Sequence, residues 1–189
     1  VNLSQNIDNY YDVIVVGAGI SGIGAGYYLQ KECASKSFCI LENRKDIGGT
    51  WDLFKYPGIR SDSDMHTLGY RFKPWIHDKS IADGPSILEY IKETIDENDL
   101  RKDILVNHIV KSSNWNSHKN VWELEIDEND KLKHITCNFL FLCGGYYSYT
   151  KPHMPSFKNQ ENFAGQIIHP QFWSDDVDYV NKKVAVIGS

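Results

Sequence analysis

An apolar strand that runs straight into a glycine turn limits this chain more than any other feature. "YDVIVVGAGISG" (Tyr11–Gly22) sets strand-forming residues directly before G-x-G-x-x-G at Gly17, Gly19 and Gly22. Each glycine has a task in such a turn. Gly17 lets the chain leave the strand sharply, Gly19 lets a pyrophosphate approach the backbone, and Gly22 lets the next helix pack closely. Ile20 to Lys31 then reads as a helix with a patch of small residues at Gly22, Gly24, Ala25 and Gly26. "SFCILE" (Ser37–Glu42) reads as a second buried strand. Strand, helix and strand within about 30 residues make a βαβ unit. The fold class is therefore α/β, with a parallel sheet of the Rossmann type.

The glycine motif is weak alone, and its surroundings sharpen it. Phosphates in such a turn sit at the helix N-terminus, where backbone N–H groups and the macrodipole favour anions. Ser21 in the first turn can add a hydroxyl. Glu42 closes the second strand, where an acid accepts hydrogen bonds from ribose hydroxyls and repels a 2′-phosphate. The ligand expected here is FAD or NAD rather than NADP.

Asn43 to Asp83 is a long irregular stretch rich in Gly, Pro, Asp and aromatic residues, and loops of that length in compact domains are usually functional. Pro85 to Asp96 reads as a helix with Ser86 as N-cap and Ile87, Leu88, Ile91 and Ile95 on one face. From Ile104 the pattern changes to strands in "DILVNHIVKSSNW", "VWELEID" and "LKHITCNFLFLC". In the second of these Trp122, Leu124 and Ile126 alternate with Glu123, Glu125 and Asp127. An antiparallel meander ending in a buried strand is thus inserted into a parallel α/β pattern. Gly144 onward reads as loop up to a last strand, Val184 to Ile187. Its "VAVIGS" repeats the opening of the first strand and turn.

Composition removes several classes. The net charge of −5 and the lack of a dense basic run argue against nucleic acid. "FLFLC" (Phe139–Cys143) is far too short to cross a bilayer, so no membrane span is expected. "VNLSQNIDNYY" lacks the basic start and apolar core of an export signal. The four cysteines have neither C-x-x-C nor zinc spacing, which points to reduced thiols and a cytoplasmic location. His134-x-x-Cys137 lacks further ligands nearby, so no metal site is expected.

"ENRKDIGGTWDLFKYPGIRSDSDMHTLGYRFKPW" (Glu42–Trp75) resembles the class B flavoprotein monooxygenases. These are the Baeyer–Villiger and flavin-containing monooxygenases, and the resemblance is nearest to the ethionamide-activating group. "ADGPSILEYIK", "FLFLCGGYYSY" and "FAGQIIHPQFWSDD" extend it to the last residue. The signature F-x-G-x-x-x-H-x-x-x-W is met at Phe163, Gly165, His169 and Trp173. Its tryptophan tilts the match to the Baeyer–Villiger side, and Pro170 departs from the Thr or Ser of many relatives.

The resemblance implies FAD at Gly17, Gly19, Ser21, Gly22 and Glu42, with Gly49, Thr50, Trp51, Asp52 and Leu53 along it. It implies Arg60, Ser61 and Asp62 beside the flavin and nicotinamide, with Asp62 the catalytic candidate. Val110 would touch the adenine side, and Gly144 and Gly145 would lie near the cofactor. Tyr146, Tyr147 and Tyr149 would pack the connector. His169 would couple that connector to domain motion.

The activity implied is reduction of FAD by NADPH, followed by O2-dependent oxygen insertion through a flavin C4a-peroxide. Oxygen would go next to the carbonyl of a ketone, or onto sulfur or nitrogen. Residues 1–182 would be the FAD-binding domain with its linker, and 183–189 the first strand of a truncated NADPH-binding Rossmann domain. A second glycine loop and an arginine partner for Asp62 would then lie beyond Ser189. The chain alone is expected to be inactive and to expose apolar surface that a further part covers. The alternative expectation is a non-catalytic flavin-binding or interaction module, complete at this length.

Overall fold

The computed structural model describes residues 9–188. The stretch 1–8, part of the segment read for an export signal, and Ser189, read as part of a second glycine turn, lie outside the described residues. β1 (Tyr10–Val16) and β2 (Phe38–Leu41) pair in parallel across helix α1 (Ile20–Glu32), as the βαβ pattern predicts. Two short helices, α2 (Thr50–Leu53) and α3 (Met65–Leu68), punctuate the long irregular stretch. Helix α4 (Gly84–Glu97) leads to β3 (Ile104–Leu105), which pairs in parallel with β2. The meander follows as β4 (His108–Asn116), β5 (Val121–Glu128) and β6 (Lys131–Leu142). The six strands of the described residues form one sheet in the order β3-β2-β1-β6-β5-β4.

β6 joins the two halves of this sheet. Its first part, Lys131–Cys137, is antiparallel to β5, and from Thr136 to Leu142 it runs parallel to β1. β1 is consequently central and covered on both faces. Val13 and Val15 look towards Ile23 of α1 and Ile87, Ile91 and Ile95 of α4. Ile14 packs with Cys39, Leu41, Leu124, Ile126, Ile135 and Cys137 on the other face. Strand alternation assigns successive residues to opposite faces, which explains why β1 is apolar at every position from Val13 to Val16. Each aliphatic side chain so buried contributes about 1.5–3 kcal/mol.

Several expectations from the sequence are corrected. Asp83, not Ser86, caps α4: its carboxylate accepts from the Ser86 backbone N–H at 2.9 Å and the Ser86 hydroxyl at 2.8 Å. Gly84 and Pro85 then fill the first turn, where a missing N–H costs nothing. The apolar run from Ile104 is two strands, because Asn107 adopts φ +57° and breaks it. The end of β6, expected to be buried, leaves Phe139 56%, Phe141 44% and Leu142 73% exposed. Phe139 and Phe141 are in register with Val13 and Val15 on the helical face, yet no described element covers them. No strand forms at Val184–Ile187 among the described residues, and Val186 is exposed there. A strand exists only through a hydrogen-bonded neighbour, and this segment has none among the described residues.

Candidate functional site

The glycine turn is held from three sides. Gly17 has φ +104°, and a Cβ there would stand 2.5 Å from the Cys143 carbonyl oxygen, so the end of β6 also demands glycine. A Cβ at Gly22 would lie 1.8 Å from the Gly17 carbonyl oxygen. That position is therefore closed first by the turn itself and only then by Val15 of β1, whose Cγ1 would be 3.5 Å away. Ala18, between them, is gripped twice. Its N–H donates to Glu42 Oε2 at 2.8 Å, and its carbonyl accepts from the Gly48 N–H at 3.0 Å.

Glu42 is only 3% exposed, and its second oxygen, Oε1, accepts from the Arg44 N–H at 3.0 Å. Two charge-assisted bonds offset much of the cost of burying this carboxylate. A carboxylate offers about four lone-pair sites, so acceptor capacity remains for hydroxyl donors. The Glu42 carbonyl accepts from the His108 N–H and the Arg44 carbonyl from the Asn107 N–H, which lays the start of β4 alongside the acid. Val110 follows at a register shift between β4 and β5. Such bulges recur beside functional sites.

The "GGTW" turn closes onto the same place. Gly49 has φ +56°, and a Cβ there would approach the Gly19 Cα to 3.1 Å. Arg44 ties this turn to the end of β2, donating to the Gly49 carbonyl at 3.4 Å and pairing with the Asp52 carboxylate. Above Arg44 lies the Tyr149 ring, 5.7 Å from guanidinium carbon to ring centroid. Burial pushes the Tyr149 hydroxyl up, and the neighbouring Glu42 adds to that rise while Arg44 opposes it. Helix α1 has no side-chain cap and no acid in its first turn, and Ser21 there is exposed. An N-terminus in this state is suited to an anionic ligand.

Glu42, Gly17–Gly22, Gly48–Asp52 and Gly144 thus converge, since a Cβ at Gly17 would also approach the Gly144 Cα at 3.3 Å. Thr50, Trp51 and Leu53 are half-buried on α2, with Trp51 against the main core. The Arg60–Asp62 loop is different in kind. Arg60 forms an antiparallel bridge with Asp83, and Ser61 is buried with its hydroxyl accepting from the Ala82 N–H at 3.2 Å. Arg60 and Asp62 are exposed. Tyr147 packs edge-on against Phe54, and its hydroxyl is pushed up to about 12 by the Tyr146 hydrogen bond first, then by burial and the Asp62 charge among others.

The tyrosines expected to pack the connector therefore reach beyond it, Tyr147 to Phe54 and Tyr149 to Arg44. Gly145 has φ +70°, and a Cβ there would meet no heavy atom within 4 Å beyond its chain neighbours. Arg44 escaped the sequence reading, although its place two residues after the acid was the available signal. A cavity of about 490 Å³ in the connector, bordered by Met154, Ile168 and Phe172, shares no residue with this cluster. No group of metal-ligating side chains occurs among the described residues, and none of their helices is long and apolar enough to cross a membrane.

A parallel βαβ unit with a glycine turn, an uncapped helix start and a buried acid closing β2 defines a Rossmann-like α/β domain. Residues 15–77 match the NAD(P)-binding Rossmann-like domain, and residues 72–189 match the family described as flavin-binding monooxygenase-like. The chain belongs to the flavin-binding monooxygenase-like family. It is 55% identical over 180 residues to the FAD-containing monooxygenase EthA of Mycolicibacterium smegmatis, covering 95% of this chain and 37% of that protein. To the probable FAD-binding monooxygenase AlmA of an Acinetobacter species it is 50% identical over 184 residues, 97% of this chain and 37% of the relative. Among solved structures, an oxidized steroid monooxygenase bound to NADP superimposes with a TM-score of 0.73 at 30% identity, over 88% of this chain and 32% of that one. The chain thus spans little more than a third of the length of the curated relatives it matches.

Proposed function

We propose that this chain is the FAD-binding portion of an NADPH- and O2-dependent monooxygenase of the Baeyer–Villiger type. The observation that carries the reading is Glu42, a nearly fully buried carboxylate at the end of β2 that grips the glycine turn through Ala18. The residues present fit an adenine dinucleotide. Gly19 and Gly49 face each other without side chains and leave a cradle that a Cβ would fill. Family membership and relatives named as FAD-containing or FAD-binding monooxygenases support FAD over NAD in this first site.

When bound, FAD supplies two-electron transfer and activation of O2. The protein's part is binding, orientation and exclusion of water. Gly17–Gly22 and the start of α1 receive the diphosphate with backbone N–H groups, and Ser21 offers a hydroxyl. Glu42 accepts from the ribose hydroxyls with its remaining lone pairs, and Val110 borders the adenine. Gly49, Thr50, Trp51, Asp52 and Leu53 line the cofactor, with Asp52 oriented by Arg44. Gly144 and Gly145 leave room for it at the end of β6. Arg60, Ser61 and Asp62 form the side towards the nicotinamide, where Ser61 pins the loop and the exposed Asp62 is the catalytic candidate. Its charge is available to an arginine supplied by further sequence.

The division proposed is an FAD-binding domain with linker over 1–182, and the start of an NADPH-binding domain over 183–189. A ketone, or a sulfur- or nitrogen-containing molecule, is the proposed substrate of the whole protein, and the cytoplasm its location. The absorbance spectrum of the freshly purified chain, followed by titration with FAD under flavin fluorescence, tests this reading. Saturable one-to-one FAD binding without NADPH-driven oxygen uptake is expected. Absence of FAD binding would overturn the cofactor assignment, and substrate-dependent oxygen uptake would overturn the division of labour.

A further inference from the structure

The turn that carries His169 and Trp173 of the signature buries a glutamine. Gln171 is 8% exposed, although it sits on the single turn Pro170–Phe172 between two exposed neighbours. Its backbone N–H donates to His169 Nδ1 at 3.2 Å. Its side-chain amide donates to the carbonyls of Ser148 and Tyr149, both at 2.9 Å. One amide thereby fixes two successive peptide units of a connector that has no strand partner of its own, and satisfies two carbonyls.

Tyr149 is also the residue whose ring lies against Arg44. Arg44 in turn holds the Gly49 carbonyl and the Asp52 carboxylate, while its own N–H is bound by Glu42. A continuous set of contacts runs from the signature turn to the acid and the glycine cradle. We propose that Gln171 is a positioning residue for the cofactor site, keeping the Tyr149 ring on Arg44 and, through Arg44, the Gly49–Asp52 turn in place. The geometry stands by itself; the consequence for FAD rests on the proposed function above.

The test uses the 189-residue chain with Gln171→Met, Tyr149→Leu and the double variant. Hydrogen–deuterium exchange is measured without FAD, and affinities are measured for FAD and for FMN, which lacks the adenosine half. In Gln171→Met, exchange should rise in peptides covering Arg44 to Leu53 as well as around Ser148 and Tyr149. Tyr149→Leu should raise exchange at Arg44 to Leu53 while the turn around Gln171 stays protected, which covers the case that Gln171→Met does not fold. FAD affinity should fall about tenfold in each single variant and no further in the double, with FMN affinity unchanged.

Exchange confined to the connector, or equal losses for FAD and FMN, would overturn the positioning role. A wild-type chain that ignores FAD would sink the cofactor reading instead, and the exchange measurement would then decide the positioning role alone.

Discussion

Replacing Glu42 with glutamine keeps the shape of the side chain and removes its charge. The carboxylate accepts two backbone N–H groups, from Ala18 at 2.8 Å and Arg44 at 3.0 Å, in a site only 3% exposed. Hydrogen bonds to a charged group are worth about 1.5–3 kcal/mol each. Glutamine retains one acceptor oxygen, so one bond survives as a weaker neutral one. The other N–H then faces an amide NH2, donor against donor, with little water to relieve it. The expected loss is about 2–4 kcal/mol in stability. At about 2–4 °C per kcal/mol for a domain of this size, Glu42→Gln should melt roughly 4–16 °C lower. A lower urea midpoint with an unchanged slope would show that stability has fallen without a change in the surface exposed on unfolding. Measured well below its melting point, the variant should also bind FAD about tenfold or more weakly. A variant that melts within about 1 °C of the parent and binds FAD equally would refute this role for the buried acid.

Gly17→Ala combines φ +104° with a Cβ only 2.5 Å from the Cys143 carbonyl oxygen, and should cost about 2–4 kcal/mol; an unchanged denaturation midpoint would contradict it. The Asp83 carboxyl is held below its ordinary 3.8, first by the Ser86 backbone N–H and then by the Ser86 hydroxyl. A depressed folded-state pKa gives stability that is present above the unfolded value and lost as pH falls through the folded one. Asp83→Ala should therefore cost about 1 kcal/mol at pH 7, with the gap to wild type closing below about pH 4 in pH-dependent urea melts. Burial pushes the Cys137 thiol up to about 11, whereas Cys33 is exposed. Iodoacetamide at pH 8 with mass spectrometry should modify Cys33 readily and reach Cys137 only on unfolding, and early labelling of Cys137 would contradict the packing of β6 against β1.

Local pattern carried much of the fold. Alternation along Trp122–Asp127 and the apolar run Val13–Val16 of β1 each follow from what the two sheet faces bury, so strand positions could be read without tertiary knowledge. The βαβ unit, the glycine turn and the acid closing β2 were legible for the same reason. Where two local solutions compete, sequence was a poorer guide. Asp83 and Ser86 are both good caps, and only the Gly84–Pro85 pair in the first turn decides between them. The break at Asn107 was hard to read because a single polar residue in a strand-like stretch does not reveal a left-handed backbone. Hydropathy equally could not say that Phe139 and Phe141 would stand outside the area the helices cover. The least legible part was the lock around the cradle. Arg44 reaches Gln171 only through Tyr149, once the connector has folded against the end of β2, and no spacing rule joins residues so far apart.

The most direct test is a structure of this chain with FAD bound. The ribose hydroxyls should lie within hydrogen-bonding distance of Glu42, with the diphosphate over Gly17–Gly22 at the start of α1. A flavin nucleotide found elsewhere on the chain, or a glycine turn left empty at saturating FAD, would contradict the account.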